Sequence, residues 1–206
     1  MKSSVSDIIL GSLECIGTPT RAEWAQDWPC QGVLVSELIN ATNLIHEGIK
    51  GGNTAMKNVV KKYEDHQAEI IKVFKSSKDN STQGIMSMLL QQDLHTKDVV
   101  KSLLDQQVVS EKDYAWKSRP RMYAAENDIY IEMLAIKEGY RYEYQGDCIQ
   151  PVWYKTLEKT IYNFFTAFSM KYFPLMNGTF SCGKSTALVE TCRLIAQILV
   201  TRNITT

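Results

Sequence analysis

Apolar residues recur at helical spacing over most of the first two-thirds of the chain. The pattern predicts an amphipathic helix over 33–49 and a stronger one over 54–75, separated by Gly51-Gly52-Asn53, which breaks the repeat. After a polar stretch over 76–83, a third helix is predicted over 84–105. The apolar faces are formed by Leu34, Leu38, Ile45, Ile49, Met56, Val59, Val60, Tyr63, Ile70, Ile71, Phe74, Ile85, Met88, Leu89, Val99, Leu103 and Leu104.

Two flanking segments carry weaker patterns. Residues 1–32 contain two prolines and several glycines, so they are expected to be irregular, with Trp24 and Trp28 docking them on the helices. Residues 110–138 are expected to be mainly helical, with an interruption at Pro120.

The pattern changes near residue 140. Alternating aromatic and polar residues predict a strand over 140–146, and a second short strand is predicted over 168–172. Amphipathic helices are predicted over 154–165 and over 183–202. The expected fold class is therefore mainly α, followed by the beginning of an α/β unit.

Composition and charge narrow the possible partners. Hydrophobic residues make up 44% of the 206 residues, and 23 basic residues balance 23 acidic ones, so neither nucleic acid nor an anionic membrane surface is an expected partner. The apolar stretch at Ile8–Leu13 is too short for a secretory signal or a membrane helix, which favours a cytoplasmic protein. No Cys-x-x-Cys pair is present, so reduced thiols are expected at Cys15, Cys30, Cys148, Cys182 and Cys192.

One motif carries specific chemistry. The stretch from Gly178 to Ser185 satisfies G-x-x-x-x-G-K-S/T, in which glycines let backbone N–H groups wrap around phosphate oxygens at the start of a helix. Lys184 is expected to reach the β- and γ-phosphates, and the Ser185 hydroxyl to ligate magnesium. The residues expected to hold the nucleotide are Gly178, Thr179, Phe180, Ser181, Cys182, Gly183, Lys184, Ser185 and Thr186.

Binding does not imply hydrolysis. Turnover needs an acidic residue at the end of a second strand and a group that senses the γ-phosphate, and such elements normally follow the loop. Only about twenty residues follow Lys184, and none of them forms an apolar strand ending in Asp-Glu. No catalytic residue is therefore predicted.

Five segments in the same order resemble the dynein heavy chain, where the end of its linker meets the first AAA+ module. The first three are W-P-C-Q-G-V-L-V-S-E-L-I-N-A-T from Trp28, L-H-T-K-D-V-V from Leu94, and D-Y-A-W from Asp113 with R-M-Y from Arg121. The other two are Y-R-Y-E-Y-Q-G from Tyr140, similar to Y-G-Y-E-Y-x-G, and the loop from Gly178, where the family has G-P-A-G-T-G-K-T.

The chain also departs from the family pattern. Ala41 replaces a tryptophan, Arg141 replaces a glycine in the tyrosine-rich segment, and only Pro151 matches the segment ending in P-L-T-D-R that helps to form the adenine pocket. Within the loop, Phe180 is bulky and Ser181 replaces a glycine, so both are expected to strain the phosphate cradle.

The resemblance implies a linker-like helical region over 1–139 and an incomplete P-loop AAA+ module over 140–206. It implies ATP and Mg²⁺ as cofactors, and the remainder of a larger heavy chain or other dynein subunits as partners. Microtubules would be contacted only through parts that this sequence does not contain. The implied location is the cytoplasm and cytoskeleton, including the ciliary axoneme.

Two alternatives stay open. The chain is an interaction or scaffold module with a decayed loop, or it is an unrelated small P-loop kinase or transferase. The first predicts a folded chain that does not bind nucleotide, and the second requires catalytic residues after the loop.

Overall fold

The computed structural model describes residues 2–125, 128–146, 151–154 and 156–202. It confirms a mainly helical region followed by a small α/β segment. Within these ranges the elements are α1 (Lys2–Glu14), α2 (Arg21–Asp27), α3 (Cys30–Ser76), α4 (Asn80–Asp105), α5 (Tyr114–Lys117), β1 (Arg121–Ala125), β2 (Asp128–Met133), β3 (Ile136–Gly139), α6 (Leu157–Ser169) and α7 (Lys184–Leu194).

Helix α3 is a hairpin of two helical arms that reverses at Gly52. This residue has φ 76° and ψ −169°, a conformation that favours glycine. A Cβ placed on Gly48 would lie 2.7 Å from Met56 Sδ and 3.3 Å from Val59 Cγ2. Residues eight positions apart in a straight helix are about 12 Å apart along the axis, so the second arm must fold back on the first. The predicted break at 51–53 is confirmed.

Helix α4 packs along both arms of this hairpin and completes a helical bundle. Asp79 caps its start, since its side chain accepts a 2.8 Å bond from Thr82 N–H. One core cluster lies at the start of α4 and another toward its end. Their largest fully buried side chains are Trp24, Tyr63, Met56, Ile70, Met86, Met88, Leu89 and Leu103.

The prediction that residues 1–32 are irregular is wrong, because α1 and α2 occupy most of them. Gly11 does not break α1 but makes room for a neighbour, since a Cβ there would lie 2.7 Å from the Trp28 ring. Trp24 is buried as expected, and its Nε1 donates to the Ser12 carbonyl at 2.8 Å. Local propensity alone disfavours a glycine inside a helix, and this tertiary contact explains why Gly11 lies within α1.

A buried charge cluster, formed by Arg21, Glu37 and Asp93, joins α2 to the bundle. Arg21 Nε donates to Glu37 Oε1 at 2.7 Å, and its two terminal nitrogens donate to both oxygens of Asp93 at 2.7 and 2.8 Å. All three side chains are at most 6% exposed. Because a buried charge needs a partner, this cluster fixes how α2, α3 and α4 meet.

The prediction that residues 110–138 are mainly helical is also wrong. They contain the short α5 and an antiparallel sheet of order β1-β2-β3, with Met122 opposite Ile131 and Tyr130 opposite Gly139. In β2 the apolar residues Ile129, Ile131 and Met133 are buried on alternate positions. This alternation at period two is the usual pattern of a half-buried strand.

Beyond residue 140 the chain packs on the same core as the sheet. Tyr140 N–H donates to the Ile129 carbonyl at 2.8 Å and Arg141 N–H to the Ile195 carbonyl at 2.8 Å, although 140–146 forms no regular strand. One cluster contains residues from α1, the first arm of α3, the sheet, α6 and α7, including Ile9, Ile39, Ile131, Leu157, Phe165 and Leu194.

The last predicted elements need two corrections. No strand forms over 168–172, because α6 continues to Ser169 and the chain then turns with Lys171 at φ 57°. The final helix ends at Leu194 rather than near 202, and Ala196 follows it with φ 48°.

Candidate phosphate-binding loop

The predicted phosphate loop lies between α6 and α7 and ends at the start of a helix. Residues 172–179 precede it without regular secondary structure, so the strand expected before the loop is not formed. Gly183 stands immediately before α7 in the left-handed region, with φ 83° and ψ 13°. The first N–H groups of a helix have no partner within it, so the start of α7 is a suitable end for an anion-binding loop.

Lys184 turns its side chain back over the loop. Its Nζ donates to the carbonyl oxygens of Gly178 at 3.0 Å and Thr179 at 2.6 Å, and lies 3.4 Å from Cys182 Sγ. The ammonium therefore lies against the backbone of the first two residues of the motif. To bind an anion there, it would exchange these carbonyl contacts for anion oxygens.

Gly178 is the residue whose small size the loop needs. A Cβ at this position would lie 3.0 Å from Cys182 Sγ and about as far as van der Waals contact allows from the Lys184 side chain. A larger residue would fill the space over which the lysine turns. The two glycines of the motif thus have separate roles, one steric and one conformational.

The loop residues that replace the family pattern behave differently from one another. Ser181 has φ 58°, a left-handed conformation that costs a non-glycine residue about 1–2 kcal/mol. Phe180 is 98% exposed, so its ring buries almost no surface against the rest of the chain. Ser181 is therefore in a strained conformation as expected, whereas the expected strain from the bulk of Phe180 stays a prediction.

Ser185 and Thr186 lie in the first turn of α7, beyond the lysine. Ser185 is exposed and Thr186 is half-buried, while the next residue, Ala187, is buried in the core shared by the sheet and α7. Ser185 is thus accessible at the mouth of the loop. Among the described residues, no group of three or more His, Cys, Asp or Glu side chains is placed to hold a metal ion.

The segment 151–154 lies beside the loop and was not predicted as part of the site beyond Pro151. A Cβ on Gly183 would lie 3.7 Å from Tyr154 Oη. Burial, together with the nearby Glu190 and Cys182, raises the pKa of the Tyr154 hydroxyl. The sequence signal that could have indicated this segment is the aromatic pair Trp153-Tyr154 near Pro151, since aromatic side chains commonly anchor loops on a core.

Trp153 ties this segment to the helical bundle. Its ring stacks on His95 of α4 with centroids 4.0 Å apart and an interplanar angle of 2°, and its Nε1 donates to Gln92 Oε1 at 3.2 Å. Burial, with Arg119 nearby, lowers the pKa of His95 to about 3, so this imidazole is neutral at pH 7. Arg119 itself pairs with Glu158 at the start of α6. The segment beside the loop is thereby connected to α4 through this stacked pair and the hydrogen bond to Gln92.

Glu190 is the sole acidic residue in the sequence after Lys184. It is buried in α7 and accepts from Arg193 Nη1 at 2.7 and 2.9 Å. Burial raises the pKa of its carboxyl, while Arg193 and the Val152 N–H act in the opposite direction. Because Glu190 is already paired, it is not available as the carboxylate that would orient a hydrolytic water.

Comparison with curated proteins identifies axonemal dynein heavy chains. Each alignment spans 147 residues, which is 71% of this chain. Over these residues the chain is 30% identical to mouse dynein axonemal heavy chain 1, 26% identical to rat dynein axonemal heavy chain 12 and 26% identical to mouse dynein axonemal heavy chain 3. These alignments cover only 3 to 5% of the relatives. No family model matches the chain. The predicted resemblance to the dynein heavy chain is confirmed by these alignments.

None of the described helices is long and apolar enough to cross a membrane.

Proposed function

We propose that this chain, a divergent relative of a segment of the dynein heavy chains, holds a magnesium–nucleoside triphosphate in the loop from Gly178 to Ser185. The observation that carries the proposal is the Lys184 side chain, which turns back onto the loop at the start of α7 and bonds to the carbonyls of Gly178 and Thr179. The motif therefore places its ammonium beside the helix start whose N–H groups would bind phosphate oxygens.

Each part of the loop would have one task. The N–H groups at the start of α7 and along the loop would bind phosphate oxygens, and Lys184 would pair with the β- and γ-phosphates. The accessible Ser185 hydroxyl would ligate Mg²⁺, which supplies charge neutralisation between the phosphates. ATP is the proposed nucleotide because of the dynein resemblance.

The proposed role is nucleotide binding. Glu190, which follows the loop in α7, is buried and paired with Arg193. Residues 140–206 would supply the nucleotide loop of an AAA+ module, and residues 1–139 a mainly helical, linker-like region that includes the small sheet.

The proposed context is a microtubule-based motor. The matched relatives are axonemal heavy chains that are far longer than this chain, so the remainder of such a heavy chain, or other dynein subunits, would be its partners. Microtubules would be bound only by parts of the larger heavy chain outside this sequence. The proposed location is the cytoskeleton, with the ciliary axoneme favoured by the names of the relatives.

A second candidate is a scaffold module in which the loop has decayed. Ser181 favours it, because a serine in the left-handed region destabilises the conformation on which a phosphate cradle depends. In this case the helical bundle would provide the function and the loop would be only a connection.

Calorimetric titration with MgATP separates the two candidates. We expect saturable binding by the wild-type chain and no binding by Lys184→Ala, which removes the ammonium that pairs with the phosphates. Lys159→Ala is the matched control, because Lys159 is an exposed lysine on α6 outside the loop. If wild-type protein with a helical circular dichroism spectrum does not bind MgATP, the nucleotide proposal is wrong and the scaffold candidate stands.

A further inference from the structure

The phosphate loop contains a thiol and an amine in direct contact. Cys182 Sγ lies 3.4 Å from Lys184 Nζ, and Cys182 is exposed. The contact lies within the loop, since the lysine also reaches the carbonyls of Gly178 and Thr179. The family pattern that this loop resembles has threonine at the position of Cys182, so the pair is a property of this sequence.

We propose that Cys182 and Lys184 form a reversible redox switch of the loop, closed by a peroxide. This inference rests on the proposed nucleotide site, because its effect is on the lysine that would bind the phosphates. The other described cysteines offer a contrast, since Cys30 and Cys192 are buried and Cys15, although exposed, lies in the turn after α1 far along the chain from the loop.

The chemistry proceeds in two balanced steps. Hydrogen peroxide oxidises the Cys182 thiol to a sulfenic acid, forming one S–O bond and releasing one water molecule. The Lys184 amine, after giving its extra proton to solvent, attacks this sulfur and displaces a second water molecule, which leaves an S–N bond. The sulfur loses two electrons, the peroxide gains them, and the chain loses two hydrogen atoms in total.

The bond removes the function of Lys184. The nitrogen no longer carries the ammonium charge and is fixed at Cys182, so it cannot pair with the β- and γ-phosphates. Two molecules of a small thiol reverse the reaction. The first attacks the Cys182 sulfur and releases the Lys184 amine, which leaves a mixed disulfide, and the second attacks this disulfide, frees the Cys182 thiol and leaves as the small-molecule disulfide. Oxidised chain is thus expected to bind MgATP at least tenfold more weakly than reduced chain.

Peptide mass spectrometry tests the bond without any nucleotide. After treatment of the purified chain with hydrogen peroxide, we expect a peptide containing Cys182 and Lys184 that is lighter by two hydrogen atoms and is not cleaved by trypsin after Lys184. Dithiothreitol should restore the mass and the cleavage. Cys182→Ser should not form the product, whereas Cys15→Ser, the matched control at the other exposed cysteine of the described part of the chain, should form it like wild type.

Titration of the same samples with MgATP tests the regulation. Reduced wild type and reduced Cys15→Ser should bind equally, peroxide should weaken both at least tenfold, and dithiothreitol should restore both. The proposal is overturned if peroxide leaves Lys184 cleavable by trypsin, or if bridged chain binds MgATP as tightly as reduced chain. Failure of reduced wild type to bind would instead overturn the nucleotide site and with it the regulation, while the masses still decide whether the bond forms.

Discussion

The buried charge cluster and the phosphate loop satisfy their polar groups in opposite ways. In the cluster, Arg21 reaches two carboxylates contributed by different helices, and all three side chains are nearly inaccessible to solvent. In the loop, the bonds that the structure describes for Lys184 all go to its own segment, to the carbonyls of Gly178 and Thr179 and to Cys182 Sγ, and Phe180 is 98% exposed. Long-range contacts therefore determine the geometry of the bundle, whereas local backbone conformation determines the geometry of the loop.

The surroundings of the two regions also differ in solvent exposure. Residues 172–179 have no regular structure, and Phe173 and Leu175 are 100% and 93% exposed. In contrast, the side chains around α2 and α4 form one compact cluster that includes Trp24, Met86 and Leu89. Substitutions in the bundle should thus change global stability strongly, and substitutions in the loop should change it weakly.

The largest effect is expected from Arg21→Met. Removal of the guanidinium leaves Glu37 and Asp93 buried together without a cation, which typically costs about 3–5 kcal/mol. Urea unfolding followed by far-ultraviolet circular dichroism measures this loss of free energy of unfolding.

The control for Arg21→Met is Lys50→Met, which breaks an ion pair with Glu111 in which Lys50 is 70% exposed. An exposed pair of this kind contributes about 0–1 kcal/mol. Equal losses in the two variants would show that the buried cluster is no more important than a surface pair, and the contrast drawn above would be wrong.

A smaller effect is expected at His95, which joins the two regions through its stacking on Trp153. Its pKa is lowered to about 3 in the folded protein, against about 6.5 in an unfolded chain. The unfolded chain therefore binds more protons between these values, so the contribution of His95 to stability is present above pH 6.5 and decreases as the pH falls toward 3.

His95→Phe keeps an aromatic ring against Trp153 and removes the titration. Between pH 7 and pH 5 the wild-type chain should lose about 2 kcal/mol more free energy of unfolding than this variant. Unfolding in urea at the two pH values gives the difference directly. Parallel pH dependences in both proteins would mean that His95 is not kept neutral by burial at this joint.

Some parts of this fold were predictable from the sequence and others were not. Helical periodicity was sufficient for both arms of α3 and for α4, and Gly51 and Gly52 correctly marked the reversal. Periodicity failed for α1, because Gly11 and Ser12 interrupt its apolar stretch and the reason for Gly11 is a contact with Trp28. Such a contact joins distant residues, and local patterns carry no information on it.

The sheet and the site were missed for different reasons. The alternation of Ile129, Ile131 and Met133 was present in the sequence, but it is short and lies within residues 110–138, which were expected to be mainly helical. The phosphate motif was recognisable because its residues are consecutive. The neighbouring Tyr154 and Trp153 were not, because their contacts with Gly183 and His95 arise only when the segments fold together.

The smallest effect is expected from Ser181→Gly, and it sharpens the comparison within the loop itself. Ser181 has φ 58°, so glycine should relieve strain and raise the free energy of unfolding by about 1 kcal/mol. Ser185→Gly is the matched control, because Ser185 lies four residues later in the helical backbone of α7, where glycine lowers stability by about 0.5 kcal/mol. Urea unfolding of the two variants should therefore shift in opposite directions.

If both variants are destabilised, Ser181 is not strained, and the replacement of the family glycine has no cost that would favour a decayed loop. Opposite shifts would instead locate that cost at one residue, and titration of Ser181→Gly beside wild type with MgATP would then test whether relief of the strain also strengthens nucleotide binding.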